Sequence, residues 1–132
     1  MVGMMALTAI VLIVMYAKRI PAMRKVGKPA QAYTTPDKGL QMLPEEVSYA
    51  AHNFKNLFEL PVIFYALCLY LFVTQSAQQA DVIAAWIFLV FRVIHSAIHC
   101  TVNIVMLRFL AYTMATFALL FMLVRAVWGA FL

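Results

Sequence analysis

A chain of 132 residues with 66% hydrophobic composition and a mean hydropathy of +0.92 lies far above the roughly 45–50% apolar content of soluble domains. That excludes an ordinary water-soluble enzyme and leaves room for one domain of a few membrane-crossing helices. The net charge of +5 does not indicate a nucleic-acid partner, because the basic residues are few and mostly gathered in one stretch between apolar segments.

Four apolar segments are expected to span the bilayer, at about 2–17, 47–74, 81–103 and 107–132. None shows the period-two alternation of barrel strands, and backbone groups in lipid need internal partners. The predicted fold is therefore an all-α integral membrane bundle of four helices in a single domain. The first segment has no basic stretch ahead of it and no good cleavage site, so it reads as a retained helix rather than a signal peptide.

Residues 18–44 form the long connection. It carries Lys18, Arg19, Arg24, Lys25, Lys28 and Lys38 and is interrupted by Pro21, Pro29 and Pro36, with Pro44 at its end. Residues 75–80 contain no basic residue. The excess of lysine and arginine places the long loop in the cytoplasm and both termini on the opposite side. Trp86 and Trp128 then fall near the non-cytoplasmic interface, Tyr16 and Tyr49 near the other, and Arg125 is expected to snorkel to headgroups. Cys68 and Cys100 lack redox or zinc spacing and read as packing residues.

Charge within the spans needs a reason, since an ionised side chain at mid-membrane costs roughly 2.5–3.5 kcal/mol on insertion scales. His52, Asn56 and Glu59 recur at helical spacing on the second span, with Lys55 beside them. Arg92, His95, His99 and Asn103 make a stripe on the third, and Arg108 and Tyr112 lie four apart on the fourth. The topology brings these stripes toward one cytoplasmic depth, with Arg92 deeper and Glu59 or a polar group of another chain its natural partner. The bland reading is mutual glue between helices. The excess of cations and imidazoles over acceptors favours a cavity for an anion. His95 and His99 have chelating spacing, but Arg92 and Arg108 repel a cation, so no metal site is expected.

Two stretches resemble the MAPEG family, the membrane-associated proteins of eicosanoid and glutathione metabolism, in the manner of a short bacterial-type member. NLFELPVIFYA at 56–66 is similar to the family's Asn-x-x-Glu signature with its nearby proline. RVIHSAIH at 92–99, followed by RFLAY at 108–112, is similar to its Arg-x-x-His pattern with a later arginine and tyrosine. The resemblance implies a homotrimer that holds glutathione between protomers near the cytoplasmic face, in a bacterial inner membrane. It implies that Asn56 and Glu59 hold the peptide's amino end and backbone, that Arg92 and His95 line the pocket, and that Arg108 faces the sulfur beside Tyr112. Lys55 stands where arginine is common and His99 where tyrosine is common, and Phe109 replaces a serine of some catalytic members. Arg19 and Arg24 are both candidates for the first helix's ligand-binding arginine.

The expected function is a glutathione-dependent transferase or peroxidase acting on a hydrophobic small molecule dissolved in the bilayer, with glutathione as co-substrate, Arg108 and Tyr112 catalytic, and Lys55, Asn56, Glu59, Arg92, His95 and His99 binding. The alternative is a non-catalytic lipid-binding protein or an accessory subunit of a larger membrane complex. A small transporter is disfavoured by the lack of an inverted repeat or a discontinuous helix.

Overall fold

The structure is a computed structural model, described over residues 1–131, with the side chains of Pro36, Asp37 and Leu40 left aside. Helix α1 spans Val2–Val26, a 3-10 turn Ala30–Tyr33, α2 Pro36–Gln41, α3 Glu45–Asn56, α4 Leu60–Val73, α5 Gln79–Cys100 and α6 Val105–Phe131. Taking α3 and α4 together, four helical segments are long and apolar enough to cross a membrane. No strand occurs among the described residues. The chain is a multi-pass integral membrane protein with an all-α fold. Leu132, placed at the end of the fourth predicted segment, lies outside the described residues.

The helices bury faces that their spacing dictates. On α1 these are Met4, Leu7, Val11 and Met15, at steps of three and four. Leucines and isoleucines elsewhere on the helices stay exposed, which in lipid costs nothing. Helix α5 is inverted relative to a soluble helix: its buried stripe carries Asp81, Arg92, His95, Ser96 and His99 along with Ala84 and Phe88. Its neighbour α6 buries Ala111, Ala115, Ala118 and Ala126, small residues that let two membrane helices approach closely. Phe64 of α4 stacks on Phe88 of α5 with ring centroids 4.4 Å apart.

Two expected boundaries need correction. The first helix does not end at residue 17 but continues through Pro21 to Val26, so Lys18, Arg19, Arg24 and Lys25 are helical rather than part of a loop. It stops at Gly27, whose φ of 66° is left-handed and whose N–H bonds the Met23 carbonyl, while Arg24 and Lys25 face the negative end of the helix. Further on, residues 28–44 contain the 3-10 turn and α2 rather than an irregular connection.

The second predicted span, 47–74, is not one helix but two, Glu45–Asn56 and Leu60–Val73, so the expectation of no discontinuous helix is corrected. Pro61 has no N–H to offer the Leu57 carbonyl, and its ring collides with that carbonyl in a continuous helix. The chain instead leaves helical geometry at Glu59 (φ −97°, ψ −106°) and restarts with Pro61 in the first turn of α4. Tighter bonds, from Phe58 N–H to Lys55 O at 3.0 Å and from Glu59 N–H to Asn56 O at a long 3.4 Å, cover the break only partly. The carbonyl of Asn56, held within its own segment only by that long bond, keeps a lone pair for a second donor from α5.

Candidate functional site

The break between α3 and α4 sets the geometry. Arg92 rises from α5 against it, wholly buried, and its Nη2 donates both to the side-chain Oδ1 of Asn56 at 3.0 Å and to that residue's backbone carbonyl at 3.2 Å. The Asn56 amide in turn donates to Glu59 Oε2 at 2.9 Å. The partner expected for Arg92 was Glu59 or a neighbouring chain. Within this chain Asn56 stands between them, and the carboxylate is reached one bond later. Glu59 itself is exposed.

On its other side the Arg92 guanidinium lies 5.5 Å from the ring centre of Tyr112 on α6, within the range of cation–π attraction. His95, one turn along α5, has its ring 5.6 Å from Tyr112 and 5.4 Å, edge-on, from His99. Its Nδ1 is 2.9 Å from the backbone carbonyl of Arg108. A carbonyl only accepts, so Nδ1 carries the proton and, in the neutral ring, Nε2 keeps its lone pair.

The side chain of Arg108 is steered by the turn that starts α6. Asn103 adopts φ 49°, a left-handed conformation asparagine tolerates better than most residues, and its Oδ1 accepts from Arg108 Nη1 at 2.5 Å. The other guanidinium nitrogens make no hydrogen bond to the described residues, and the side chain is half-buried.

The structure therefore brings together Asn56, Glu59, Arg92, His95, His99 and Tyr112, and sets Arg108 beside them through its backbone. Lys55 is exposed at the end of α3 and outside these contacts. Arg92 Nε and Nη1, His95 Nε2 and His99 Nδ1 are buried with no hydrogen-bond partner. Each such atom costs about 1–3 kcal/mol, so four close together are too many for a set of purely internal fastenings.

A family model described as the MAPEG family matches residues 1–128 of the chain. The chain belongs to the MAPEG family. No curated protein and no solved structure gives a significant match. In this MAPEG chain the two motifs that carried the resemblance thus meet at one end of the bundle, one on the α3–α4 break and the other on α5 and α6.

Beside that cluster lies a second polar group that the sequence reading passed over. Asn53, fully buried, accepts from Ser96 Oγ at 3.3 Å and approaches Cys100 Sγ at 3.4 Å. Lys18 Nζ reaches from α1 to the Cys100 carbonyl at 2.6 Å, closing the negative end of α5. Asn53 and Asn56 lie three apart, so the signal was present, but His52 drew attention to the neighbouring face, which is exposed. Arg125 also differs from expectation: its Nε pairs with Asp81 at 3.0 Å, the only ion pair among the described residues, rather than extending freely to headgroups.

Proposed function

We propose that the protein is a glutathione-dependent membrane transferase or peroxidase acting on a lipophilic electrophile. The observation that carries this reading is the group of four buried nitrogens of Arg92, His95 and His99 without partners, flanked by the exposed carboxylate of Glu59 and the half-free guanidinium of Arg108. A zwitterionic peptide thiol supplies the complementary groups: an ammonium for Glu59, carboxylates and carbonyls for the cations, and a sulfur for Arg108.

In this mechanism Glu59 and Asn56 hold the amino end of glutathione, Lys55 contributes a point charge to a carboxylate from the exposed rim, and Arg92, His95 and His99 line the pocket. A free thiol has a pKa near 8.5, so only a few per cent is ionised at pH 7. A cation at contact distance lowers that value by roughly 1–2, each worth ~1.4 kcal/mol of thiolate stabilisation. Arg108 supplies the cation and Tyr112 a hydrogen bond to the sulfur. The thiolate then attacks an electrophile arriving from lipid and displaces its leaving group, or it attacks a hydroperoxide oxygen and is oxidised while the peroxide is reduced to an alcohol. Because Glu59 and Lys55 face outward, the pocket is completed by a neighbouring protomer, in a homotrimer. The topology is long connection inward and termini outward, in a bacterial inner membrane.

Calorimetric titration of glutathione into the detergent-solubilised protein tests the reading, together with conjugation to a halonitrobenzene. Binding that is lost in both Glu59→Gln and Arg108→Ala, with turnover lost in Arg108→Ala, supports it. Absence of binding and of activity on electrophiles and lipid hydroperoxides refutes it. The rival, a non-catalytic lipid-binding protein or accessory subunit, draws support from the fact that Arg92, Asn56 and Glu59 close a hydrogen-bonded chain without any ligand. Co-purification with other membrane proteins at fixed stoichiometry favours it.

A further inference from the structure

The end of the bundle opposite the candidate site holds a polar cup of about 480 Å³, bounded by the last turn of α4, the 75–78 turn, the start of α5 and the end of α6. Asp81 and His99 are eighteen residues apart on α5, so the cup lies ~27 Å from the candidate site along the helix axis. Asp81 is buried, with both carboxylate oxygens engaged, Oδ2 by the Gln78 N–H at 2.9 Å and Oδ1 by Arg125 Nε at 3.0 Å. Arg125 Nη2 also donates to Gln78 Oε1. These bonds fix the guanidinium and leave Nη1 without a hydrogen bond to any described residue. On the facing wall Thr74 spends its hydroxyl proton on the Tyr70 carbonyl at 2.8 Å, so Ser76, 2.7 Å away, donates to Thr74. What the Ser76 oxygen offers to the cup is lone pairs.

The cup therefore has a donor pole at Arg125 and an acceptor pole at Ser76, and its one cation is balanced by its one buried anion. Tyr70 and Ala126 line both this cup and an apolar groove of about 370 Å³ that runs between α4 and α6 toward the bilayer centre, past Leu67, Ala66 and Ile63. From Tyr70 to Ile63 is two helical turns, ~10 Å, enough for the upper half of an acyl chain. Trp128 stands exposed at the same level, as aromatic residues do at a membrane interface.

We propose that this cup and groove bind one phosphatidylethanolamine from the leaflet opposite the candidate site. The phosphate accepts from Arg125 Nη1, the ammonium donates to Ser76, and one acyl chain lies in the α4–α6 groove. The neutral cup matches a headgroup of zero net charge, and its acceptor pole needs N–H donors, which a quaternary choline lacks.

The test is native mass spectrometry of the full-length protein in detergent, titrated separately with dioleoyl phosphatidylethanolamine, phosphatidylcholine and phosphatidylglycerol, with inorganic phosphate as a competitor. Phosphatidylethanolamine is expected to bind about tenfold more tightly than either other lipid, the size of one charge-assisted hydrogen bond, and to resist millimolar phosphate. Arg125→Gln is expected to abolish that preference. Since it also breaks the ion pair, Gly129→Trp is the second variant: Gly129 lines the cup and a Cβ there meets nothing within 4 Å, so the side chain starts into open space and its indole is expected to occupy the headgroup's place. Ala66→Trp, on the exposed wall of the groove, blocks the chain. Equal binding of the three lipids, displacement by phosphate, no lipid binding at all, or unchanged binding in Gly129→Trp and Ala66→Trp each overturns the proposal.

Discussion

Replacing Asn56 by alanine removes the side chain that stands between the two charges of the site. The lost bond, Arg92 Nη2 to Asn56 Oδ1 at 3.0 Å, has a charged donor, worth roughly 1.5–3 kcal/mol in soluble proteins. Polar contacts measured between membrane helices run lower, about 0.6 kcal/mol on average and 1.7 at most. The 3.2 Å bond to the Asn56 carbonyl survives the substitution, so Arg92 keeps one acceptor, and the expected loss is about 1–2 kcal/mol. Glu59→Gln preserves an acceptor for the Asn56 amide and touches Arg92 only at second hand, so its effect on stability is expected to be small while its effect on glutathione binding is large. Asn56→Asp keeps an acceptor for Arg92 but sets a second carboxylate beside Glu59, so it falls between the two in stability. Reversible unfolding in mixed micelles, followed by circular dichroism, gives the ordering. If Glu59→Gln destabilises as much as Asn56→Ala, Arg92 is paired to the carboxylate directly and the relay through Asn56 is wrong.

Three other substitutions probe separate parts of the argument. Asn103→Gly keeps the left-handed turn but removes the Oδ1 that holds Arg108; halonitrobenzene conjugation should fall about tenfold through misplacement of Arg108, with thermal stability little changed, and wild-type turnover would show that Arg108 needs no such support. Lys18→Met removes the cation from the end of α5 and should cost about 0.3–2 kcal/mol in the same unfolding assay, whereas a loop lysine, as the sequence suggested, would cost nothing. Gly3→Ile drives a branched side chain into Leu89, whose Cδ2 stands 2.6 Å from a Cβ built at Gly3; α1 must move from α5 at a cost of about 1–3 kcal/mol, while Gly3→Ala needs only a rotation of the leucine tip and should be nearly neutral.

Much of the architecture was legible because lipid leaves a chain few options. Four apolar runs could only become helices, and the stripe of Arg92, His95 and His99 identified the buried face of α5 before any contact was known. The failures came where the pattern of apolarity carries no information. Residues 18–26 are polar enough to read as a loop, yet they continue α1 as far as the Gly27 cap, and Lys18 reaches a carbonyl of α5. Pro61 belongs to the motif at 56–66 and, lacking an N–H, also breaks the span. What no periodicity could supply was the consequence: the break presents a carbonyl and an amide to the same guanidinium. Arg125 looked like a snorkelling residue because its partner Asp81 lies forty-four positions earlier, and only the antiparallel packing of α5 and α6 unites them.

The two buried or half-buried arginines bonded across helices differ in a way that separates fastening from function. Arg125 is held by a carboxylate and an amide, and it lines an open cup with one nitrogen not bonded to any described residue. Arg92 is fully buried, contacts no carboxylate in its own chain, and leaves two nitrogens without acceptors. For structural glue that is a poor solution, because a leucine would fill the space without the cost of an imperfectly compensated charge. The arrangement becomes economical only when something else brings acceptors to Arg92, either a ligand or a neighbouring protomer. Arg92→Leu separates a ligand residue from a fastening. A gain in stability with glutathione binding lost makes Arg92 a ligand residue carried at a structural cost. A loss of stability with binding intact returns it to the role of interhelical glue.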